Sequence, residues 1–463
     1  MKRLLKSSEG MALVVVVFIT AILLTLTGSS LLFSRLGLKA VSHHKTGTMA
    51  FFATEAGLSH AWKELENADG VNDFDSVYGS PAGTLVVSNP DFSGTSYAVT
   101  LLQSVSSPRM IQVASAGSAP NNSRARLEVW LRRDLGTAPK ALITNGDLKL
   151  NGNSNLLGQR GGAHTNDDMQ VTGNPTVQMA DGLTASNSVS GGGGLDDGMD
   201  ITGTPCIGSA TCASNPQPEE YKLNSNPERD AYEAGHNSAP VYNIPEINPA
   251  QYANAVAGSS GGYILKADCT VVTGAGATFS NGLHTGGGTV GAAPSGWSCS
   301  GGTWKVAGNS AANGVFYAEG RIDVAGNPGS SSFPWQVTLV ARDSIKISGN
   351  PYMVPFSTSS DSLKNILGLT GNDLEISGNP SVVGTGGGLF AHQQVKLSGN
   401  PYIKGFIMAG DGRPTWTGDP FTEGPPGVTM DEVSGNPTII YDGDFGVDLL
   451  PPTVTQVGWY QSF

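Results

Sequence analysis

The sequence predicts a long N-terminal α-helix able to span a membrane, followed by a mainly β head. The larger part of that head is expected to be a right-handed parallel β-helix-like solenoid of SGNP repeats. Three observations predict it. Residues 11–34 contain no charged side chain, glycine accounts for 63 of the 463 residues, and one phrase built on Gly-Asn-Pro returns eight times after residue 140. Glycine at that density, with only 14% charged and 39% hydrophobic residues, suits many short strands joined by tight turns. A helical bundle or a disordered chain would look different.

The chain opens with a basic leader, residues 1–10 (MKRLLKSSEG), that closes on Gly10. The apolar run from Met11 to Ser34 is long enough to cross a ~30 Å hydrocarbon core at ~1.5 Å per residue. It exceeds the core of a cleaved secretory signal and flows without a break into a polar helical segment. In that segment Phe51, Leu58, Trp62 and Leu65 recur at helical spacing, while Lys45, Glu55, Lys63 and Glu64 face elsewhere. No proline interrupts residues 11–70, so a helix over 11–66 is expected, ~80 Å long. Only its first half is apolar enough for lipid, and the same surface would suit the core of a filament.

Residues 67–139 predict a small β meander. Strand-like pieces lie at 95–105, 109–117 and 123–133, with Ser-Ser-Pro and Ala-Pro-Asn-Asn between them. Leu127, Val129 and Leu131 alternate as in a half-buried antiparallel strand.

Residues 140–463 are dominated by the repeat, as in IKISGNPYMV (345–354) and VKLSGNPYIKG (395–405). Its closest recurrences are about 20 residues apart, near one coil of a parallel β-helix. Ile345 and Ile347 would point inward and Lys346 outward. Asn153, Asn174, Asn327, Asn350, Asn379, Asn400 and Asn436 mark the turns, where Gly and Asn tolerate positive φ and proline fixes a corner. Stacked coils would align these asparagines in a buried column of mutually bonded amides. Antiparallel hairpins are the competing arrangement. Residues 209–320 lack the phrase and read as an insertion or lateral subdomain. The ending, TVTQVGWYQSF, has the alternation and aromatics of a strand closing an open solenoid end.

Four cysteines, Cys206, Cys212, Cys269 and Cys299, fit an oxidising compartment. Nearness in sequence suggests the pairs Cys206–Cys212 and Cys269–Cys299, among three possible pairings. None stands in a C-x₂-C pair with histidine at ligand spacing, which argues against zinc. The net charge of −12 with scattered basic residues argues against nucleic acid as a partner. Asp167–Asp168 and Asp196–Asp197 sit beside turns where aspartate is ordinary. Asp442, Asp444 and Asp448 have calcium-loop spacing but lack the later bidentate glutamate. His43 and His44 lie on the helix, and His164, His284 and His392 are isolated, as surface or turn residues are. No Gly-x-Ser-x-Gly elbow, Walker loop or His-Glu-x-x-His pattern occurs. The chain is therefore expected not to be an enzyme and to need no cofactor, with calcium at Asp442, Asp444 and Asp448 the one metal candidate.

The leader ending in Gly10, the uncharged run Met11–Ser34 and the segment MAFFATEAGLSHA (49–61) together resemble the N-terminal region of the PilX-type minor pilins of type IV pili. The match covers about the first 65 residues. The resemblance implies cleavage between Gly10 and Met11 by prepilin peptidase. It also implies an inner-membrane, single-pass precursor that assembles into a cell-surface pilus. Its implied partners are other minor pilins, the major pilin, the assembly platform, and a tip adhesin or surface ligand.

Major pilins carry a glutamate at the fifth mature position, and here that position is Val15. A buried carboxylate–ammonium pair seats a subunit beneath others, so Val15 suggests a subunit that primes or caps at low copy. The alternatives are a pilin-anchored adhesin or glycan-binding β-helix, with Tyr352 and Tyr402 at equivalent repeat positions, and a glycan-active enzyme on the solenoid.

Overall fold

The computed structural model describes residues 8–66, 74–78, 81–83, 85–92, 94–106, 109–186, 198–208, 221–274, 276–358, 360–410, 431–450 and 453–462. The chain divides into two units, Met1–Asp134 with Thr453–Phe463, and Leu135–Pro452.

In the first unit, helix α1 runs from Ser8 to Glu66 without interruption. From residue 12 to residue 45 almost every side chain is exposed, including Leu13, Phe18, Leu24, Phe33 and Val41. Beyond residue 45 the helix lies on an antiparallel sheet. That sheet consists of β1 (Leu85–Phe92), β2 (Thr95–Ser106), β3 (Arg109–Ala119), β4 (Ser123–Asp134) and the C-terminal strand Thr453–Ser462, in that order. β3 turns into β4 through Asn121 and Asn122, both at positive φ, a conformation asparagine tolerates.

The helix face that packs overlaps the expected one at Leu65 but is centred on smaller residues. Its buried residues are Thr46, Ala50, Ala53, Thr54, Gly57, Ala61 and Leu65, whereas Phe51, Leu58 and Trp62 are only half-buried. The stripe is small because the backbones meet closely. A Cβ on Gly117 of β3 would strike the Ala50 carbonyl and Thr54, and one on Gly57 would lie 2.7 Å from Ser115 Oγ. Further along, Leu65 joins Val99, Leu101, Ile111, Val113, Val129 and Leu131 in a conventional core. The C-terminal strand is also placed differently from expectation. It pairs antiparallel with β4, from Thr453 opposite Asp134 to Ser462 opposite Arg126, so it completes the first sheet instead of closing the repeat array.

In the second unit the repeat strands pair in parallel. Ile322–Val324, Ile345–Ile347, Leu374–Ile376, Val395–Leu397 and Asp431–Val433 lie side by side in register. The strand beside Asp431–Val433 is the first of the unit, Leu148–Leu150, followed by Met169–Val171 and Met199–Ile201. Spatial order is thus a circular permutation of sequence order. The chain enters mid-array, runs to one end, returns to the other end, and fills the tiers back to its own starting point.

That return corrects the expected insertion at 209–320. Strands Trp297–Ser300 and Thr303–Val306 already belong to the repeat sheet, and Gly314–Ala318 to the second sheet. Helix Asn226–His236 covers the edge strand at one end. There Glu233 Oε1 accepts from Ile201 N at 2.7 Å and Asn237 Oδ1 from Met199 N at 3.0 Å, so donors that an open edge would leave unpaired are satisfied. Residues 239–242 then pass the neighbouring tiers, with Ala239 N donating to Ala185 O and Tyr242 N to Asn166 Oδ1. The segment ends in strand Gly262–Leu265, which pairs in parallel with Gly314–Ala318 at the opposite end.

The crossing segment also explains a pattern in the second sheet. Its strands Gly314–Ala318 and Ile366–Thr370 are buried at every position, as strands covered on both faces are. Ile247, Tyr252, Val256, Tyr441, Phe445 and Val447 belong to the same apolar cluster as these strands, so residues 247–256 and 441–447 cover what would otherwise be a wet face.

Candidate functional site

The surface with the plainest chemistry is the free part of α1. Gly10 and Met11 both fall within the α1 backbone. Val15 is half exposed, on a stretch that nothing among the described residues covers. The helix Ala12–Glu66 is long and apolar enough to cross a membrane. Its lower half is tied down by polar contacts as well as small residues. Thr54 Oγ1 donates to Ala125 O at 3.2 Å, Ser115 Oγ to Thr54 O at 2.7 Å, and Ser123 Oγ to Thr46 Oγ1 at 2.7 Å. The first unit therefore packs one end of a helix against its sheet and leaves the other end bare.

The second unit presents two ordered polar columns. Asn436 Nδ2 donates to Asn400 Oδ1 at 3.0 Å, Asn400 to Asn379 at 2.9 Å, Asn379 to Asn350 at 3.0 Å and Asn350 to Asn327 at 3.2 Å. Asn153 continues the column onto Asn436 at 3.3 Å, Asn174 onto Asn153 at 3.5 Å, and Asn327 onto Asn309 at 3.5 Å. The column was expected to be buried; it is exposed. Asn309 was missed, although KVAGNS (305–310) is a worn copy of the phrase. None of these asparagines has positive φ, and only some of the neighbouring glycines do. What the glycines share is stacking: a Cβ on Gly349 would overlap the Gly326 carbonyl, and one on Gly326 the Gly308 carbonyl.

Beside the amides runs a column of charge. Read in spatial order, the outward residues are Lys305, Asp323, Lys346, Glu375, Lys396, Glu432 and Lys149. Lys346 pairs with Glu375 at 2.7 Å and Lys396 with Glu432 at 3.2 Å. The alternation crosses from Glu432 to Lys149, residues far apart in the sequence, so it becomes visible only once the permuted order is known. Tyr352 and Tyr402 share a column but are separated by Ser381, and make no aromatic stripe.

Cys269 and Cys299 are joined by a disulfide. Cys206 is also disulfide-bonded, while Cys212 lies outside the described residues, as do Asp196 and Asp197. Asp442 and Asp444 are exposed, and Asp442 Oδ1 accepts from Gln159 N at 2.8 Å, a bond between segments far apart in the sequence. Among the described residues the carboxylates that converge are Asp147, Asp167 and Asp168, with oxygens within 4.8 Å of one another. Such an oxygen set could hold a hard cation. Burial and the charges of Asp147 and Asp168 push the Asp167 carboxyl up to about 6.

His164 and His392 are buried rather than superficial. His164 sits in a polar chain, with Nδ1 2.9 Å from Thr184 Oγ1 and Nε2 3.0 Å from Asn166 Oδ1, and burial lowers its pKa. Lys140 donates to the same Thr184 at 2.7 Å and to Asp181 O at 2.7 Å. Burial brings its ammonium down to about 8. Sequence reasoning had no signal for Lys140, because its partners come from other tiers.

No protein-family model and no curated relative matches the chain. Among solved structures it is similar to the competence-associated pilin ComZ from Thermus thermophilus, at 13% identity over 90% of this chain and 97% of that one, with a TM-score of 0.24. A likeness of that size carries no argument about function.

Proposed function

We propose that the chain is a pilin-class subunit of a type IV pilus or related filament, of the PilX-like minor kind, with unit two a β-helical solenoid head. The observation that carries this reading is the division of α1. Its apolar half is bare, and its other half is clamped by small residues onto an antiparallel sheet. A bare apolar helix in water costs about 25 cal/mol per Å² of exposed surface, so it must be covered, first by lipid and then by neighbouring helices. In this reading the precursor is a single-pass inner-membrane protein cut between Gly10 and Met11, and the mature chain assembles with other pilins. Val15 offers no carboxylate to a neighbour's ammonium, which suits a subunit that primes or caps at low copy. The chain has no catalytic role and uses no cofactor.

The test is intact mass and N-terminal sequencing after expression with a prepilin peptidase, beside Gly10→Val. A mature chain starting at Met11, with the variant left whole, is the expected result. Identical termini in both would reduce α1 to a plain anchor and end the filament reading.

A further inference from the structure

The first unit's sheet carries a trough that the filament reading does not use. Tyr97, Gly117 and Ala125 meet α1: Tyr97 OH lies 2.9 Å from His60 Nδ1, and Ala125 O accepts from Thr54. Strand alternation therefore turns Ser96, Ala116, Ser118, Arg124 and Arg126 to the opposite face. There, with Ser88 of β1, they line an open trough of about 690 Å³. It exists because the floor is serine and alanine while the wall is arginine.

Arg124 and Arg126 stand two residues apart on β4, about 7 Å along the strand. Arg126 is paired with Glu128 at 2.9 Å, but among the described residues Arg124 has no carboxylate partner. Two exposed guanidiniums on one wall have the fork geometry that takes up carboxylates and sulfates. Ser96 Oγ and Ser118 Oγ, 2.6 Å apart, form a hydroxyl pair that can exchange its mutual bond for bonds to a ligand. The volume falls among ordinary ligand sites and far exceeds what a lone ion fills. Among the described residues that line it no aromatic face is offered, since Tyr97 is turned toward α1. Single-stranded nucleic acid is usually held by such faces.

We propose that this trough binds an acidic carbohydrate, a chain bearing carboxylates or sulfate esters beside free hydroxyls. Arg124 and Arg126 take the anionic groups, and Ser88, Ser96 and Ser118 take the hydroxyls.

The experiment titrates the full chain, in detergent micelles, with a fluorescent oligogalacturonate, a sulfated oligosaccharide, a neutral oligoglucan and a single-stranded oligonucleotide. Saturable binding of the uronate or the sulfate, absent for the neutral oligomer, is expected, and the tighter of the two identifies the anion. Arg124→Gln with Arg126→Gln should weaken it at least tenfold without moving the melting temperature. The double lysine variant should keep more affinity than the double glutamine, and Lys305→Gln in the second unit should change nothing. The proposal is overturned if neither acidic oligomer saturates or if the double glutamine variant binds as the parent does. Tighter binding of the oligonucleotide through the same two arginines would overturn it as well.

Discussion

Both units depend on backbones that approach more closely than a side chain allows, but they reach that state differently. In the first unit a helix meets a sheet through Ala50, Thr54, Gly57 and Gly117, and the close contact occurs once. In the second, the same contact recurs from tier to tier, Gly308 beneath Gly326 beneath Gly349 beneath Gly378. A contact made once can relax by a shift of the helix as a body. A contact in a stack cannot, because each tier is held from both sides by parallel hydrogen bonds. The repeated contact should therefore be the less forgiving one.

A matched pair of substitutions tests this. Gly349→Ala places a methyl against the Gly326 carbonyl, with Gly378 above preventing retreat. A loss of about 3 kcal/mol is expected, at the upper end for overpacking. Gly117→Ala places its methyl against Ala50 and Thr54, and because α1 can tilt, about 1–2 kcal/mol is expected. Gly235→Ala, in helix Asn226–His236 with open space around it, should be neutral or slightly stabilising. Calorimetric melting of the three variants checks the order. Equal losses at Gly349 and Gly117 would break the comparison.

The same contrast sets what the sequence could reveal. The tiers were legible because each must meet one local requirement, and eight copies of it stand in the chain. Strand pieces 95–105, 109–117 and 123–133 were legible by alternation and fall within β2, β3 and β4. The packed face of α1 was legible at Leu65 and not at its small residues. Helical spacing pointed to Phe51, Leu58 and Trp62, because periodicity weighs hydrophobicity and has no term for how near a partner must come. The permuted order of tiers was hidden for a related reason. Nothing in IKISGNP or LKLNGNS says which copy lies beside which, and only the charge alternation from Glu432 to Lys149 bears on it. The C-terminal strand went astray likewise, since its alternation suits the edge of β4 as well as a solenoid end.

A smaller effect separates the middle of the asparagine column from its end. Asn379 gives its amide to Asn350 and receives that of Asn400, at 3.0 and 2.9 Å. Asn379→Ala breaks both, and about 1 kcal/mol should be lost, since exposed amides fall back on water. Asn309 receives one long bond at 3.5 Å from Asn327, so Asn309→Ala should cost only a few tenths of a kcal/mol. Urea midpoints at unchanged slope are the measurement. A loss at Asn379 no greater than at Asn309 would show that the column is a consequence of stacking and adds nothing to it.

A pH-dependent effect concerns charge within a stack. Parallel register places Asp168 beside Asp147 at the turn into the next strand, and Asp167 stands next to both. Burial and these two charges raise the Asp167 carboxyl to about 6, from an ordinary value of 3.8. An acid whose folded pKa is raised binds its proton more tightly when folded. Its share of stability is therefore full below about pH 4 and is lost as pH climbs through about 6. Asp167→Asn removes the charge that folding opposes, so it should raise stability at pH 7 by on the order of 1 kcal/mol once solvent screening is allowed for. The gain should shrink toward zero at pH 4, where the parent is already protonated. Melting temperatures of parent and variant at pH 4, 5, 6 and 7 give the comparison directly. Divergence growing with pH is the expected outcome. A constant offset would mean that the three carboxylates do not repel in the folded chain, and that stacking like charges costs this unit nothing.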